Sequence, residues 1–541
     1  MPWRAPNASD FLELYSFERP EPAKPVDEFV GELKDMVREH VPDGRLAEAL
    51  KYGLASPENL RRWVKEYYQY VRMDAQGTAA TIARCRRRGL YLALAQIVNR
   101  KTGYYQVTRP PLELFVRFAE AVGVSREELE AHYACPETMQ ATFSRLQFQF
   151  SSFEEGFVVS ALGSEGGLLE VVRDERPWLC QRGMAEYMKR AYGLSDDAVA
   201  YWRAYEDFRS FVPEPVWEIV REIAVDAVEQ ELLRTTLHHW LLLYGNMRKA
   251  WAEIVSGTYP IPEFVWPPPG SPWKWNQVGS YEELEDELSE FCLALPKPKE
   301  TAIGFLLSGR ANLEAAKEFI RDLFHLDATR NIAGQFSRLP EGKALRAIAQ
   351  AFATESGGYL TRCHMEIWAD FCEQALGITR EELLRWLPPT ETLGSRYVTK
   401  WFLVHSPPEE AIAAFHLGPP PKAREKLGAA SMGLGQGGVA GGGLLVPSKK
   451  NPLAVALEKL GVDADLCDYF FRLHQEIEPF EQEEGWDYVP SVLANAEQRL
   501  AFRRAYISKI LSESRKDEAL LRRMKSLAGA GEGIFPARAA G

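Results

Sequence analysis

Three side chains in the segment 469–481 have the types and spacing of a metal ligand set: His474, Glu478 and Glu481. On an α-helix they fall at about 0°, 40° and −20°, a single narrow face. One imidazole and two carboxylates together suit a hard or borderline cation such as iron or manganese. Pro479 lies inside that spacing, where it deletes an internal hydrogen bond and kinks a helix. The alternative reading is a solvated acidic face that carries an incidental histidine. A second segment, 353–368, offers Glu355 and His364 as ligands from another helix. Nine residues at about 100° each would point these two apart on a straight helix. The pair Gly357-Gly358 must break or bend the chain if both are ligands. Otherwise at most one is; the alternative reading of His364 is a helix-start histidine hydrogen-bonded in a polar core.

These donors need rods to carry them, and helix patterns dominate the sequence. From Pro57 to Val71, the residues Leu60, Trp63, Val64, Tyr67, Tyr68 and Val71 recur at the steps of an amphipathic helix. Similar patterns fill 112–122, 181–192, 216–245, 281–294, 312–326, 343–354, 364–376 and 466–481. Alternating strand patterns are scarce, so the expectation is an all-α protein. The proline-rich stretch 259–275 cannot be helix and reads as an extended interdomain linker. The glycine-dense stretch 428–443 reads as a loop insertion. The expected organisation is a tail (1–20), an N-terminal bundle (21–258), the linker, a C-terminal bundle (276–527) and a second tail (528–541).

The halves repeat one another. The segments 53–71 and 309–327 both start at a glycine, turn, and enter an aromatic-rich helix. GVSREEL at 123–129 matches GITREEL at 377–383, and 220–229 aligns with 472–481. Three landmarks in one order, ~250 residues apart, point to two tandem helical bundles.

The order of these landmarks resembles the haem-oxygenase-like superfamily of pyrroloquinoline-quinone synthase C, thiaminase-II-like proteins and haem-oxygenase-like di-metal oxidases. Trp63-Val64 and Tyr67-Tyr68-Gln69 resemble its first helix. Glu355–Trp368 resembles its Glu-x-Gly-Gly segment entering a His-x-Glu-x-Trp helix. His474, Glu478 and Glu481 stand where it closes with His-x3-Asp-x2-His. The resemblance implies two tandem haem-oxygenase-like bundles and an oxygen-activating non-haem iron oxidase acting on a small molecule in a biosynthetic pathway. One or two iron ions, or manganese, would be held by Glu355, His364, His474, Glu478 and Glu481. The family's mid-domain glutamate is missing after 410–418, with Glu409 or His416 as substitutes. In the N-terminal half Pro111 stands opposite His364 and a position near Thr102 opposite Glu355. An all-carboxylate remnant there, Glu222, Asp226 and Glu229 with Glu165 upstream, offers a cation site, but the favoured reading is a bundle with degenerate ligands that serves packing or pocket formation. The pair His238-His239 farther along is not read as a ligand set.

Composition limits the alternatives. The 541 residues carry 64 Lys plus Arg against 76 Asp plus Glu, a net charge of −12. That balance argues against a sequence-independent grip on nucleic acid. No apolar run is long enough for a membrane span, and no secretory leader is visible. Seven scattered cysteines without a CxxC read as reduced thiols, so a cytoplasmic setting is expected. A homodimer is compatible with the resemblance. Two other functions remain open. One is a metal-free oxidase of the quinone-synthase type, for which Tyr67, Tyr68 and Tyr70 with Arg72 would line the pocket. The other is a non-catalytic scaffold with eroded sites.

Overall fold

A computed structural model describes residues 22–86, 110–163, 183–209, 216–295, 300–324, 364–414, 418–427, 451–468 and 485–529, with a few isolated positions between them. Every regular element among the described residues is helical, apart from an isolated bridge between Lys274 and Gln277. Arg19–Gly270 and Ser271–Gly541 are two compact units.

The first unit contains α1 (Val26–His40), α2 (Arg45–Lys51), α3 (Pro57–Val71), α4 (Asp74–Ala83), α5 (Pro111–Ala121), α6 (Arg126–Ala131), α7 (Pro136–Ser151), α8 (Phe153–Phe157), α9 (Met184–Tyr192), α10 (Ala200–Arg209), α11 (Val216–Ile223) and α12 (Ala227–Ser256). A π-helical turn, Val158–Leu162, continues α8. Helix α3 starts where the sequence says it should. Ser56 accepts the Asn59 amide and Pro57 occupies the first turn, where its missing N–H costs nothing. Its apolar face buries Leu60, Trp63, Val64, Tyr67 and Tyr68. Helix α7 packs against α3, α4, α8 and α12.

The second unit contains α13 (Tyr281–Ala294), α14 (Ala302–Leu307), α15 (Leu313–Phe324), α16 (His364–Leu376), α17 (Arg380–Arg385), α18 (Thr390–His405), α19 (Pro408–Ala414), α20 (Pro421–Leu427), α21 (Pro452–Lys459) and the long α22 (Ala496–Leu527). Helix α22 packs along α15, α18 and α19. Its buried charges are paired, as burial demands. Arg503 meets Glu287 at 3.1 Å, and Lys516 meets Asp322 at 3.0 Å.

One local motif occurs in both units. Gly123 and Gly377 have left-handed φ of 85° and 64°, ending α5 and α16. Each leads into a reciprocal capping box, Ser125 with Glu128 at α6 and Thr379 with Glu382 at α17.

The expected helix 216–245 is two helices. Asp226 takes an extended conformation and its side chain accepts the Glu229 amide at 2.8 Å. Glu229 reaches back to the Val225 amide at 3.1 Å. These carboxylates start α12; they do not share a face with Glu222, which lies on α11. Asp226 and Glu229 thus form a helix cap, while Glu165 lies outside the described residues.

Residues 259–266 lie along α3 and the chain before α7. Arg62 donates to the Ile261 carbonyl at 2.8 Å, and the Phe264 and Tyr133 rings meet edge to face at 5.8 Å.

Candidate functional site

In the second unit, α16 opens at His364, the first residue of the expected His-x-Glu-x-Trp helix. The side chain of His364 lies outside the described residues, as do Glu355, His474, Glu478 and Glu481. His416 is outside them too, while Glu409 sits in the first turn of α19. What is described is an aromatic contact between α16 and Phe470. Phe470, four residues ahead of His474, packs on Trp368 and Phe371 of α16, with ring centroids 4.3 and 4.4 Å apart. Ile367, Cys372 and Cys467 are buried in the same cluster. Burial pushes the Cys372 thiol up to about 12, so it packs here as a neutral thiol. Among the described residues no group of three or more His, Cys, Asp or Glu converges on a metal position.

The first unit offers a second kind of site. Helix α7 buries Thr138, Thr142, Arg145 and Gln149. At i, i+4, i+7 and i+11 these form one stripe. Such a stripe looks like a solvent face in the sequence, yet it faces aromatic neighbours. The Arg145 guanidinium lies 4.0 Å from the Tyr70 ring centroid, donates to the Tyr70 carbonyl and pairs with Asp74 at 3.4 Å. Trp251 from α12 donates to Thr138 Oγ1 at 2.8 Å and meets the Tyr70 ring at 5.7 Å. Tyr201 from α10 donates to the Tyr67 hydroxyl at 3.3 Å. Burial holds the Tyr70 and Tyr201 phenols well above their usual range, so they act as neutral hydrogen-bonding groups. The Thr142 hydroxyl is buried and has no hydrogen-bond partner among the described residues. Such a group is an unmet donor and acceptor that a ligand or water can satisfy. The expected tyrosines Tyr67 and Tyr70 are in this group. The arginine laid on Tyr70 is Arg145, whereas Arg72 caps the end of α3.

Residues 45–191 match the profile of the TENA/THI-4/PQQC family. That family belongs to the haem-oxygenase-like superfamily. The TENA-like stretch runs from α2 to α9, so it includes Tyr67, Tyr70, Asp74 and Arg145, while Tyr201 and Trp251 lie beyond it. The all-helical architecture agrees with a haem-oxygenase-like fold. No curated protein matches the chain significantly. Among the described residues, no helix is long and apolar enough to cross a membrane.

Other groups missed by sequence patterns are His132 and Glu66. His132 Nε2 meets Glu66 Oε1 at 3.0 Å, and both are almost fully buried. The two residues are distant in sequence, and neither belongs to a periodic pattern. His238 touches His40 edge to face, with ring centroids 5.1 Å apart, and burial lowers its pKa.

Proposed function

We propose that this protein is an oxygen-using oxidase of the haem-oxygenase-like type that acts on a small molecule. In this reading iron is held in the second unit by Glu355, His364, His474, Glu478 and Glu481. The observation that carries it is the packing of Phe470 on Trp368 and Phe371. That contact joins the chain leading to His474 with the helix that His364 begins. The donors fit iron by type: two imidazole nitrogens and three carboxylates, with manganese as the other metal of similar preference. Bound iron supplies the activation of O₂. The chain's own part is to fix the donors on separate rods and to keep the adjoining wall apolar and dry. The two units are read as tandem copies of one bundle, supported by the glycine and capping-box motif in each. A cytoplasmic setting belongs to the same proposal, supported by the free thiols of Cys85, Cys135, Cys292, Cys372 and Cys467.

A second reading, metal-free oxidation in the first unit, is favoured by one observation. The Arg145, Tyr70 and Asp74 group lies within the TENA-like stretch and offers polar contacts in an aromatic interior.

The test is anaerobic loading of the full chain with ferrous iron, elemental analysis, and absorbance after exposure to air. Stoichiometric iron and a transient band, both lost in His474→Ala, are expected. If no iron is retained, the metal reading fails. Oxygen consumption that survives strong chelation and is lost in Arg145→Met would establish the second.

A further inference from the structure

The segment 259–266 is held to the first unit both by packing, with Trp266 buried and Phe264 against Tyr133, and by charge. Glu263 is its anchor. It forms a salt bridge with Lys65 of α3, and His132 Nδ1 stands 3.4 Å from Glu263 Oε1. The other nitrogen of the same ring meets Glu66 at 3.0 Å. One imidazole thus stands between a core carboxylate and a carboxylate of the segment. A histidine with both nitrogens on carboxylates is a double donor, which is the protonated form. Two further bonds fasten the segment. Tyr259 donates to Glu137 Oε2 at 2.5 Å, and Arg62 holds the Ile261 carbonyl while stacking on the Tyr259 ring at 5.1 Å.

Beneath these contacts lies the start of α7. Glu66 accepts the Cys135 amide on both oxygens, each at 3.0 Å. The Cys135 thiol contacts Thr138 at 3.2 Å and is buried. Thr138 is the first residue of the polar stripe that continues to Arg145.

We propose that residues 259–266 form a releasable strap, clamped through the His132 imidazolium between Glu66 and Glu263, whose opening exposes Cys135 and the Thr138 end of the polar stripe. The proposal does not depend on which oxidase reading is correct. Its pH response follows from the groups around the ring: Glu66, Lys65 and Arg62 on α3, Cys135 and Glu137 at α7, and Tyr259 and Glu263 on the strap. Burial opposes the charge on His132, but Glu66 and Glu263 overcome it and raise its pKa above 6.5. Burial likewise opposes ionisation of Glu263, yet His132 and Lys65 bring it down to about 2. Both partners are therefore held toward their charged forms. The clamp is complete below 6.5 and is lost as pH rises through the raised histidine pKa. The strap opens on the alkaline side.

The test uses the full chain and two readouts. Iodoacetamide labelling of Cys135, mapped by mass spectrometry, reports exposure of the thiol. Amide exchange of residues 261–266 and of α7 reports the strap and the body separately. Glu263→Gln keeps the size of a half-exposed side chain and removes its charge; Tyr259→Phe removes one fastening bond. At neutral pH, Glu263→Gln is expected to speed Cys135 labelling about tenfold and to free the strap amides, with α7 still protected. Tyr259→Phe is expected to do so more weakly. In the unaltered chain, raising the pH from about 7 to 9.5 should speed Cys135 labelling more than that of Cys85, which serves as the reference for thiolate growth. Cys135 labelling and strap exchange unchanged in both variants would overturn the proposal. So would simultaneous loss of α7 protection, because the network would then be part of the global fold.

Discussion

Phe470 lies nearly parallel to Phe371, with ring planes 17° apart and centroids at 4.4 Å. Trp368 closes the same cluster from the side at 64°. Offset and edge-on geometries of this kind suit aromatic quadrupoles and contribute beyond area burial. The relationship matters because each ring sits a short step along the chain from a proposed metal donor. Phe470→Ala should therefore have two effects. The first is a loss of about 3–5 kcal/mol of stability, the usual cost of removing a buried phenyl ring, read by denaturant unfolding. The second is a fall in retained ferrous iron at temperatures where the variant is still folded. Full iron retention would separate the aromatic cluster from the donor site.

Gly163 ends the π-helical turn after α8 and leaves room for the Trp240 indole. A methyl group there would lie 2.3 Å from Trp240 Cδ1. The indole is also fixed by its bond to the Gly163 carbonyl at 2.8 Å. A rigid ring cannot give way as a flexible chain end can. Gly163→Ala is expected to lower stability by about 1–3 kcal/mol, with loss of the Trp240 environment seen in tryptophan fluorescence. An unchanged melting temperature would show that α12 can shift.

Asp517 accepts the Ala302 amide at 3.2 Å, at the start of α14. Burial raises its carboxyl to about 6 from 3.8. The folded state therefore binds more protons than the unfolded state between those values, and stability from this group falls as pH rises through the window. Above pH 6 the buried charge is a net cost. Asp517→Asn keeps an acceptor for Ala302 and removes the charge. It should stabilise the protein by roughly 1–3 kcal/mol at pH 8 and by almost nothing at pH 4. Equal effects at both pH values would contradict the assignment.

Asp226 is a cap. Asp226→Ala removes the acceptor for the Glu229 amide and should cost about 1 kcal/mol. Metal content should stay unchanged. A loss of bound cation would restore the carboxylate-remnant reading of this segment.

Much of the local structure was legible before any coordinates. Pro57–Val71, Tyr281–Ala294 and His364–Leu376 have the ends their sequences announce. The glycines and capping boxes at 123–128 and 377–382 follow from residues three or four apart. Such signals are local because helix hydrogen bonds and caps join near neighbours. The proposed iron donors also come from sequence spacing and resemblance.

Tertiary structure decided what local rules cannot reach. Helix α7 shows no apolar stripe because Thr138, Thr142, Arg145 and Gln149 occupy buried positions; only packing against Tyr70 and Trp251 reveals them as interior. The break before α12 required knowing that Asp226 bonds the backbone instead of sharing a face with Glu222. Glu66, His132 and Glu263 lie far apart in the chain, and each alone reads as an ordinary surface charge. Folding buries Glu66 and His132 and partly buries Glu263, and there their mutual attraction, set by distance in space, shifts their protonation.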